Sequence, residues 1–365
     1  MSQTPSNHLL GRSRQWEEEA GRPRNLDSTR TAPDPAALSG KTELRTEKEG
    51  LVSKISDKPA RPRVPFLSNG EYRKVRIIHP TDFSPDSELA FQYALRLTLQ
   101  SQGRLEIIHV DTGVPYSSWL EFPHVRVQLA RWGLLPGDAP PEAIHRLGLS
   151  VERIRVSWHN PAAALEEYVH HHPTDLIVMA THQREGLRRW LSGSVPEELM
   201  RRAHVPTLIV PDQTTSGFLD PATGKLALHN MLLPIDYNPP PALVLQAALR
   251  FATWLDSSAA HMRVLHVGRS MPSLKMTDIQ PWHAEISLGS GDAAEEIIAM
   301  THRQPAELVV MATEEHQNLR NWLWGSTVQR VSRFLRCPLL VVPASTATWH
   351  LSPRPALTAA ATSIF

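Results

Sequence analysis

One stretch of this chain occurs twice, and that repetition decides most of what the chain can fold into. The first copy runs Asp175-Leu-Ile-Val-Met-Ala-Thr-His, continues through Leu187-Arg-Arg-Trp-Leu-Ser-Gly193-Ser194, and ends at Val205-Pro-Thr-Leu-Ile-Val-Pro211. The second runs Glu307-Leu-Val-Val-Met-Ala-Thr-Glu, then Leu319-Arg-Asn-Trp-Leu-Trp-Gly325-Ser326, then Cys337-Pro-Leu-Leu-Val-Val-Pro343. Every landmark returns at a constant offset of 132 residues, from Asp175 to Glu307, Gly193 to Gly325 and Pro206 to Pro338. Solenoid repeats recur every 20 to 50 residues or so, and this interval is far longer, so each copy is a domain. A chain of 365 residues has room for two such cores.

The grammar around the repeat is that of alternating strands and helices. Lys74-Val-Arg-Ile-Ile-His79 reads as a strand, followed by Asp82 and a helix carrying Leu89, Ala90, Tyr93, Ala94 and Leu97 at helical spacing. Ser84 with Pro85 is the expected cap and first turn of that helix. The second copy gives Met231-Leu-Leu-Pro-Ile-Asp236, then Asn238 and Pro239 in the same roles, then Leu243, Ala247, Phe251 and Ala252. Second strands follow at Leu105 to Val110 and Met262 to Val267, and third strands at Val151 to Ser157 and about His283 to Leu288. Nearly continuous apolar strands alternating with helices predict two tandem, doubly wound, five-stranded parallel-sheet domains. The interval from Asp82 to Asp175 is 93 residues and that from Asp236 to Glu307 is 71. The extra 22 residues fall around Thr112 to Arg146, where Val125 to Trp132 reads as an added helix.

Domain boundaries follow from composition. Residues 1–68 mix both charges with Pro, Ser and Thr and hold few aliphatics, the composition of a disordered tail. The first domain then spans 69–211, a linker rich in Thr, Gly and Pro spans 212–226, the second domain 227–345, and a tail 346–365. Lys and Arg total 38 against 37 Asp and Glu, so no global field draws in nucleic acid or an anionic membrane. One cysteine excludes an intrachain disulfide, no apolar run is long enough to span a bilayer, and the N-terminus lacks the pattern of a secretory signal. The expected setting is a reducing cytoplasm.

In an open parallel sheet, ligands bind beyond the carboxyl ends of the strands where strand order reverses. The residues placed there are Asp82 and Asp236 after the first strands, Val110 and Val267 after the second, and Ala180 and Ala312 after the fourth. Gly193-Ser194-Val195 and Gly325-Ser326-Thr327 each open the last helix. A helix N-terminus of that kind suits a phosphate, and a Gly-Ser turn is equally an ordinary cap.

With these residues the chain resembles the universal stress protein family in its tandem form, over roughly residues 72 to 345. The resemblance implies the adenine-nucleotide alpha-hydrolase-like fold. It also implies an ATP loop reading Gly, two residues, Gly, nine residues, Gly, then Ser or Thr. The frame is kept in both copies and the glycines are not. Ala180 and Ala312 replace the first Gly, Gln183 and Glu315 the second, and only Gly193-Ser194 and Gly325-Ser326 match. The family's Asp at the nucleoside end is met by Asp82 and Asp236. Its Gly before the third helix is Gly291 in one copy and His159 in the other. A side chain in a phosphate loop holds the backbone amides away from the oxygens. Glu315, beside Glu314, adds repulsion of about 4 kcal/mol per charge pair at about 4 Å and an effective dielectric of about 20, roughly a thousandfold in affinity. In the first copy, His182, Arg184, Arg188 and Arg189 offer side-chain cations instead, and they read equally as a solvated loop face.

The reading is therefore a non-enzymatic stress-response or regulatory protein with degenerate nucleotide loops and no cofactor expected. The alternative is an ATP-binding switch with slow hydrolysis, using the first domain with weak affinity. Trp190 and Trp322 read as loop anchors and His170-His171-His172 as a solvated helix end. Cys337 reads as a buried, inert thiol. Each last strand is apolar and lies at a sheet edge, which invites pairing. The resemblance places the family's dimer contact there. The two halves are expected to meet through Leu208 and Leu340 in a pseudo-twofold pair, leaving open a homo-oligomer and an unidentified protein partner.

Overall fold

Short β-branched runs and amphipathic stretches alternate through the computed structural model, which describes residues 74–111, 122–181, 204–257, 260–275, 283–313, 326–346 and 349. The first half contains β1 (Arg76–Pro80), α1 (Ser87–Gln100), β2 (Arg104–Asp111), α2 (Val125–Arg131), α3 (Ala143–Arg146), β3 (Ser150–Ser157), α4 (Pro161–His171), β4 (Leu176–Thr181) and β5 (Thr207–Pro211). The second contains β6 (Asn230–Pro234), α5 (Pro241–Trp254), β7 (His261–Val267), β8 (Ala284–Gly289), α6 (Ala293–Arg303), β9 (Leu308–Thr313), α7 (Ser326–Phe334) and β10 (Leu339–Pro343). The added helix of the first half is α2. The expected N-terminal tail and the residues after 349 lie outside the described residues, as do Trp190 and Trp322.

The strands form one sheet in the order β3-β2-β1-β4-β5-β10-β9-β6-β7-β8. Pairing is parallel within each half, and β5 and β10 run antiparallel with Leu340 opposite Leu208. Both leucines are fully buried. An apolar last strand would leave an edge open in either half alone; here each covers the other.

A parallel sheet needs both faces covered, and the two faces are covered differently. On one face α1 and α5 share a single core, with Leu97, Leu208, Leu340, Leu245 and Phe251 in one cluster. On the other face there are two cores, one built around α4 in the first half and one around α6 and α7 in the second, the latter also taking in Ile209 of β5. The shared core is closed by the stretch read as a linker, which does not run free. Phe218 and Leu219 are buried, and the Phe218 ring lies edge-on to Tyr93 of α1 (4.9 Å) and Phe251 of α5 (5.6 Å). Arg96 Nε donates to the Gly224 carbonyl (2.7 Å) and Trp132 Nε1 to that of Pro221 (3.0 Å). Gly224 sits at φ +69 against the Trp132 ring, where any side chain would collide with the indole. Trp349, expected in a loose tail, is also buried. Its indole N–H donates to the Asp175 carbonyl (2.8 Å) and its own carbonyl accepts from Arg250 (2.8 Å).

The acidic residue that opens each repeat has a shared task. Asp175 accepts from the Arg76 N–H (2.8 Å), and Glu307 accepts from the N–H groups of His229 and Asn230, so each pins the start of its half's first strand. Beside it, the second strands bury opposite charges at equivalent positions. Glu106 in β2 is fully buried; its carboxylate accepts from the Tyr168 hydroxyl (3.1 Å) and lies 2.8 Å from Arg104 Nε in a contact angled outside hydrogen-bond geometry. Arg263 in β7 is 6% exposed and donates to Gln304 Oε1 (2.6 Å) and the Pro305 carbonyl (3.2 Å). His172 is not part of a solvated helix end. It stacks on Tyr168 at 4.0 Å, and burial lowers its pKa, while His170 and His171 are exposed.

Candidate functional site

Because the order within each half is third, second, first, fourth, fifth strand, the carboxyl ends of β1, β2 and β4 are neighbours, as are those of β6, β7 and β9. Asp82, Val110 and Ala180 therefore share one rim, and Asp236, Val267 and Ala312 share the corresponding rim of the second half. Val110, Ala180, Val267 and Ala312 are half-buried; Asp82 and Asp236 are exposed. Ser326 and Thr327 open α7. His182, Arg184, Gly193, Ser194, Val195 and Gly325 lie outside the described residues.

Each first strand ends in the same local device. Thr81 N–H donates to the Ile108 carbonyl and Ile235 N–H to that of Leu265, both at 2.9 Å. A histidine from the second strand returns the contact: His109 Nδ1–H donates to the Thr81 carbonyl (2.9 Å) and His266 Nδ1–H to that of Ile235 (3.0 Å). These bonds fix the backbone one residue before each candidate Asp. The signal was in the sequence as the paired His109-Val110 and His266-Val267, though neither histidine reads as a site residue without the fold. Gly268 leaves room for the His266 ring, which any side chain there would strike.

Beyond this point the halves part. Asp82 Oδ1 accepts from both the N–H (3.0 Å) and the hydroxyl (2.6 Å) of Ser84. That turn leaves Phe83 at φ +62, a conformation costly for a bulky residue, and lays its ring flat on His109 at 4.0 Å and edge-on to buried Phe122 at 5.0 Å. It also delays α1: Ser84 is engaged by Asp82, the Ser84 carbonyl accepts from Ser87, and the cap is Asp86. The expected Ser84 cap is thereby corrected, as is Asn238, since α5 opens at Pro241 after Pro240.

In the second half Asp236 is 69% exposed, with Oδ1 bonded to the Tyr237 N–H (2.8 Å) and 3.8 Å from His266 Nδ1. Tyr237, the counterpart of Phe83, stands perpendicular to His266 at 5.4 Å. It is 57% exposed, with its hydroxyl donating to the Ser270 carbonyl (2.9 Å).

The third helices begin at the same rim. Asn160 Oδ1 caps α4 by accepting from Ala162 (2.9 Å) and Ala163 (3.2 Å). Asp292 caps α6 from Glu295 (3.0 Å) and takes Arg330 of α7 on its other oxygen (2.6 Å), which holds its carboxyl below the usual carboxylate range. Gly291 stands at φ +93, so the glycine kept there has a conformational reason, and the first half follows another path through His159.

Two further polar groups are buried. His79 in β1 is fully buried, donates from Nδ1 to the Val178 carbonyl (2.9 Å), and has its pKa pushed down to about 4 by burial. Cys337 is buried and its thiol is pushed up to about 12, the state of an unreactive sulfur. Among the described residues, no group of three or more His, Cys, Asp or Glu could hold a metal ion, and no helix is long and apolar enough to cross a membrane.

Comparison with known proteins agrees with this architecture. A universal stress protein of Methanocaldococcus jannaschii is 29% identical over 154 residues, covering 40% of this chain and 86% of that protein. A universal stress protein structure from Archaeoglobus fulgidus superposes with a TM-score of 0.50 at 16% identity, over 74% of this chain and 97% of its own. A functionally unknown protein from Pseudomonas aeruginosa does so with a TM-score of 0.50 at 15% identity, over 74% and 92%. At such identities the two structures speak for the fold alone. The model of the universal stress protein family matches residues 75–211 and 280–343, one region in each half, and on that match the chain belongs to the universal stress protein family.

Proposed function

We propose that this chain is a tandem stress-response protein of regulatory rather than catalytic kind, in which neither half keeps a complete nucleotide site. The observation that carries the reading is the first rim: Asp82 is engaged by Ser84, and Phe83 lies flat on His109 where the second strand ends. The second half has the complementary defect. Asp236 is open to solvent, yet the loop that follows β9 begins with Glu314 and Glu315, whose charge opposes a phosphate. In this reading the repeats are residues 69–211 and 227–345, joined through 212–226. The β5–β10 seam takes the place of a contact between two chains.

The test is calorimetry of the full chain with ATP and magnesium, before and after restoring the loops. The native protein should show no binding, or binding far weaker than micromolar. Ala180→Gly with Gln183→Gly should strengthen binding in the first half, and Ala312→Gly with Glu315→Gly should give the larger relative gain because a carboxylate also leaves. Micromolar binding by both halves of the native chain would overturn the proposal.

A further inference from the structure

The seam leaves two outer edges, β3 and β8, and the two are built differently. Register aligns them residue by residue: Ile107 pairs Arg153 and His109 pairs Arg155, as Val264 pairs Ile286 and His266 pairs Leu288. Where β3 carries Arg153 and Arg155, β8 therefore carries Ile286 and Leu288, which are 46% and 52% exposed. The first half also covers this face with its insertion: Arg153 donates to the Pro123 carbonyl (3.1 Å) and its guanidinium lies 6.0 Å from the Phe122 ring centre. The second half lacks those 22 residues.

The backbone of β8 adds a direction. His283 and Gly289 carbonyls accept from Met262 of β7 and from Gly268 just beyond its end, so the odd-numbered residues turn their peptide groups toward β7. By the alternation of a strand, Ala284, Ile286 and Leu288 turn theirs, N–H and carbonyl alike, to the open edge. The outward peptide groups thus belong to the two exposed apolar residues, Ile286 and Leu288, and to half-buried Ala284 on the same face.

We infer that β8 is a docking edge for the β8 strand of a second copy of this chain, paired antiparallel about Ile286. That register sets Ile286 against its own counterpart and Ala284 against Leu288 twice. It makes one apolar row of six side chains, with about six new backbone hydrogen bonds. Charge selects this occupant. Glu285 is the single charged residue of β8 and falls opposite Ser287 of the other copy, so no like charges meet. The arginine-bearing β3 edge has no such self-match, because the equivalent antiparallel pairing about Arg153 sets that arginine against its own counterpart, in a row already partly covered.

Sedimentation of the full chain over a concentration series tests this. The native protein should associate to a dimer, and Leu288→Lys or Ile286→Lys should raise the dissociation constant at least about tenfold with unchanged circular dichroism. Ile286→Cys should form an interchain disulfide on mild oxidation, since paired residues of such a ladder have Cα atoms about 5.5 Å apart. The buried Cys337 should take no part. A native chain that stays monomeric throughout, or a dimer that ignores both lysine variants and leaves the new cysteines reduced, overturns the assignment. A partner protein's strand as the true occupant would register as the first of these results.

Discussion

The two halves follow one plan and differ most where a charge has to be buried. At the equivalent position of the second strand the first half buries Glu106 and the second Arg263, and the surroundings have inverted with them. Arg104 and Tyr168 attend the carboxylate; Gln304 and a carbonyl attend the guanidinium. A duplicated fold thus tolerates reversal of a buried charge when its partners change too, because the cost lies in leaving a charge unpaired rather than in its sign. The same reasoning separates the rims. His79 is matched by Leu233, and Phe83 by Tyr237, so the first half has become the more polar inside and the more closed outside.

The comparison can be broken at several points. The largest effect is expected from placing one charge at two edges. Leu340→Lys puts an unpaired cation at the centre of the sheet opposite Leu208 and should cost about 4–5 kcal/mol or more in denaturant unfolding. Leu288→Lys at the outer edge should change the stability of one chain by about 0.5 kcal/mol at most. Next, Glu106→Ala leaves Arg104 and Tyr168 around an empty site and should cost about 3–5 kcal/mol by the same measurement. Reversing the first half toward the second takes Glu106→Arg with His172→Gln, the counterpart of Gln304, and with Arg76→Asn and Arg104→His, the residues at the same register in the second half, and should recover part of that loss.

A smaller effect comes with pH. Folding keeps His79 neutral down to about pH 4, while the unfolded chain takes up a proton near 6.5. The unfolded state therefore binds more protons between these values. Stability from this residue is full above pH 6.5 and falls by about 3 kcal/mol as pH drops to 4. His79→Leu, the residue of the second half, should flatten that part of the stability–pH curve. A loss of about 1 kcal/mol in thermal unfolding is expected from Asn160→Ala, which removes the cap of α4. Asp292→Ala in α6 should differ in kind, its effect shrinking with added salt because Arg330 is the partner.

Much of this architecture was legible in the amino-acid order, for identifiable reasons. The seam follows from runs such as Leu208–Val210 and Leu340–Val342, which are too apolar to face water and recur at a fixed offset. Helix starts were less legible, since Asp82 and Ser84 satisfy one another locally and a cap motif read alone does not reveal that competition. Phe218 read as part of a linker because one aromatic among Thr, Gly and Pro has no periodicity; only the gap between α1 and α5 makes it core. Glu106 and Arg263 interrupt otherwise apolar strands, and Tyr168 lies 62 residues from the first and Gln304 41 residues from the second. As for the site, the carboxyl-end placement of Asp82 and Asp236 was readable, whereas the covering of His109 by Phe83 rests on a backbone angle that no spacing encodes.

The antiparallel seam has one more consequence. Strands run in a common direction within each half and in opposite directions across β5 and β10, so the carboxyl ends of the two halves emerge on opposite margins of a single sheet. The molecule is two-headed. Whatever the Asp82 margin meets, the Asp236 margin must meet something else, from the far side and without sharing it. The two margins are joined through the paired leucines, the Phe218 wedge and Trp349, which bonds to both Asp175 and Arg250. Two equivalent margins thus stand back to back on a common beam, each facing its own side.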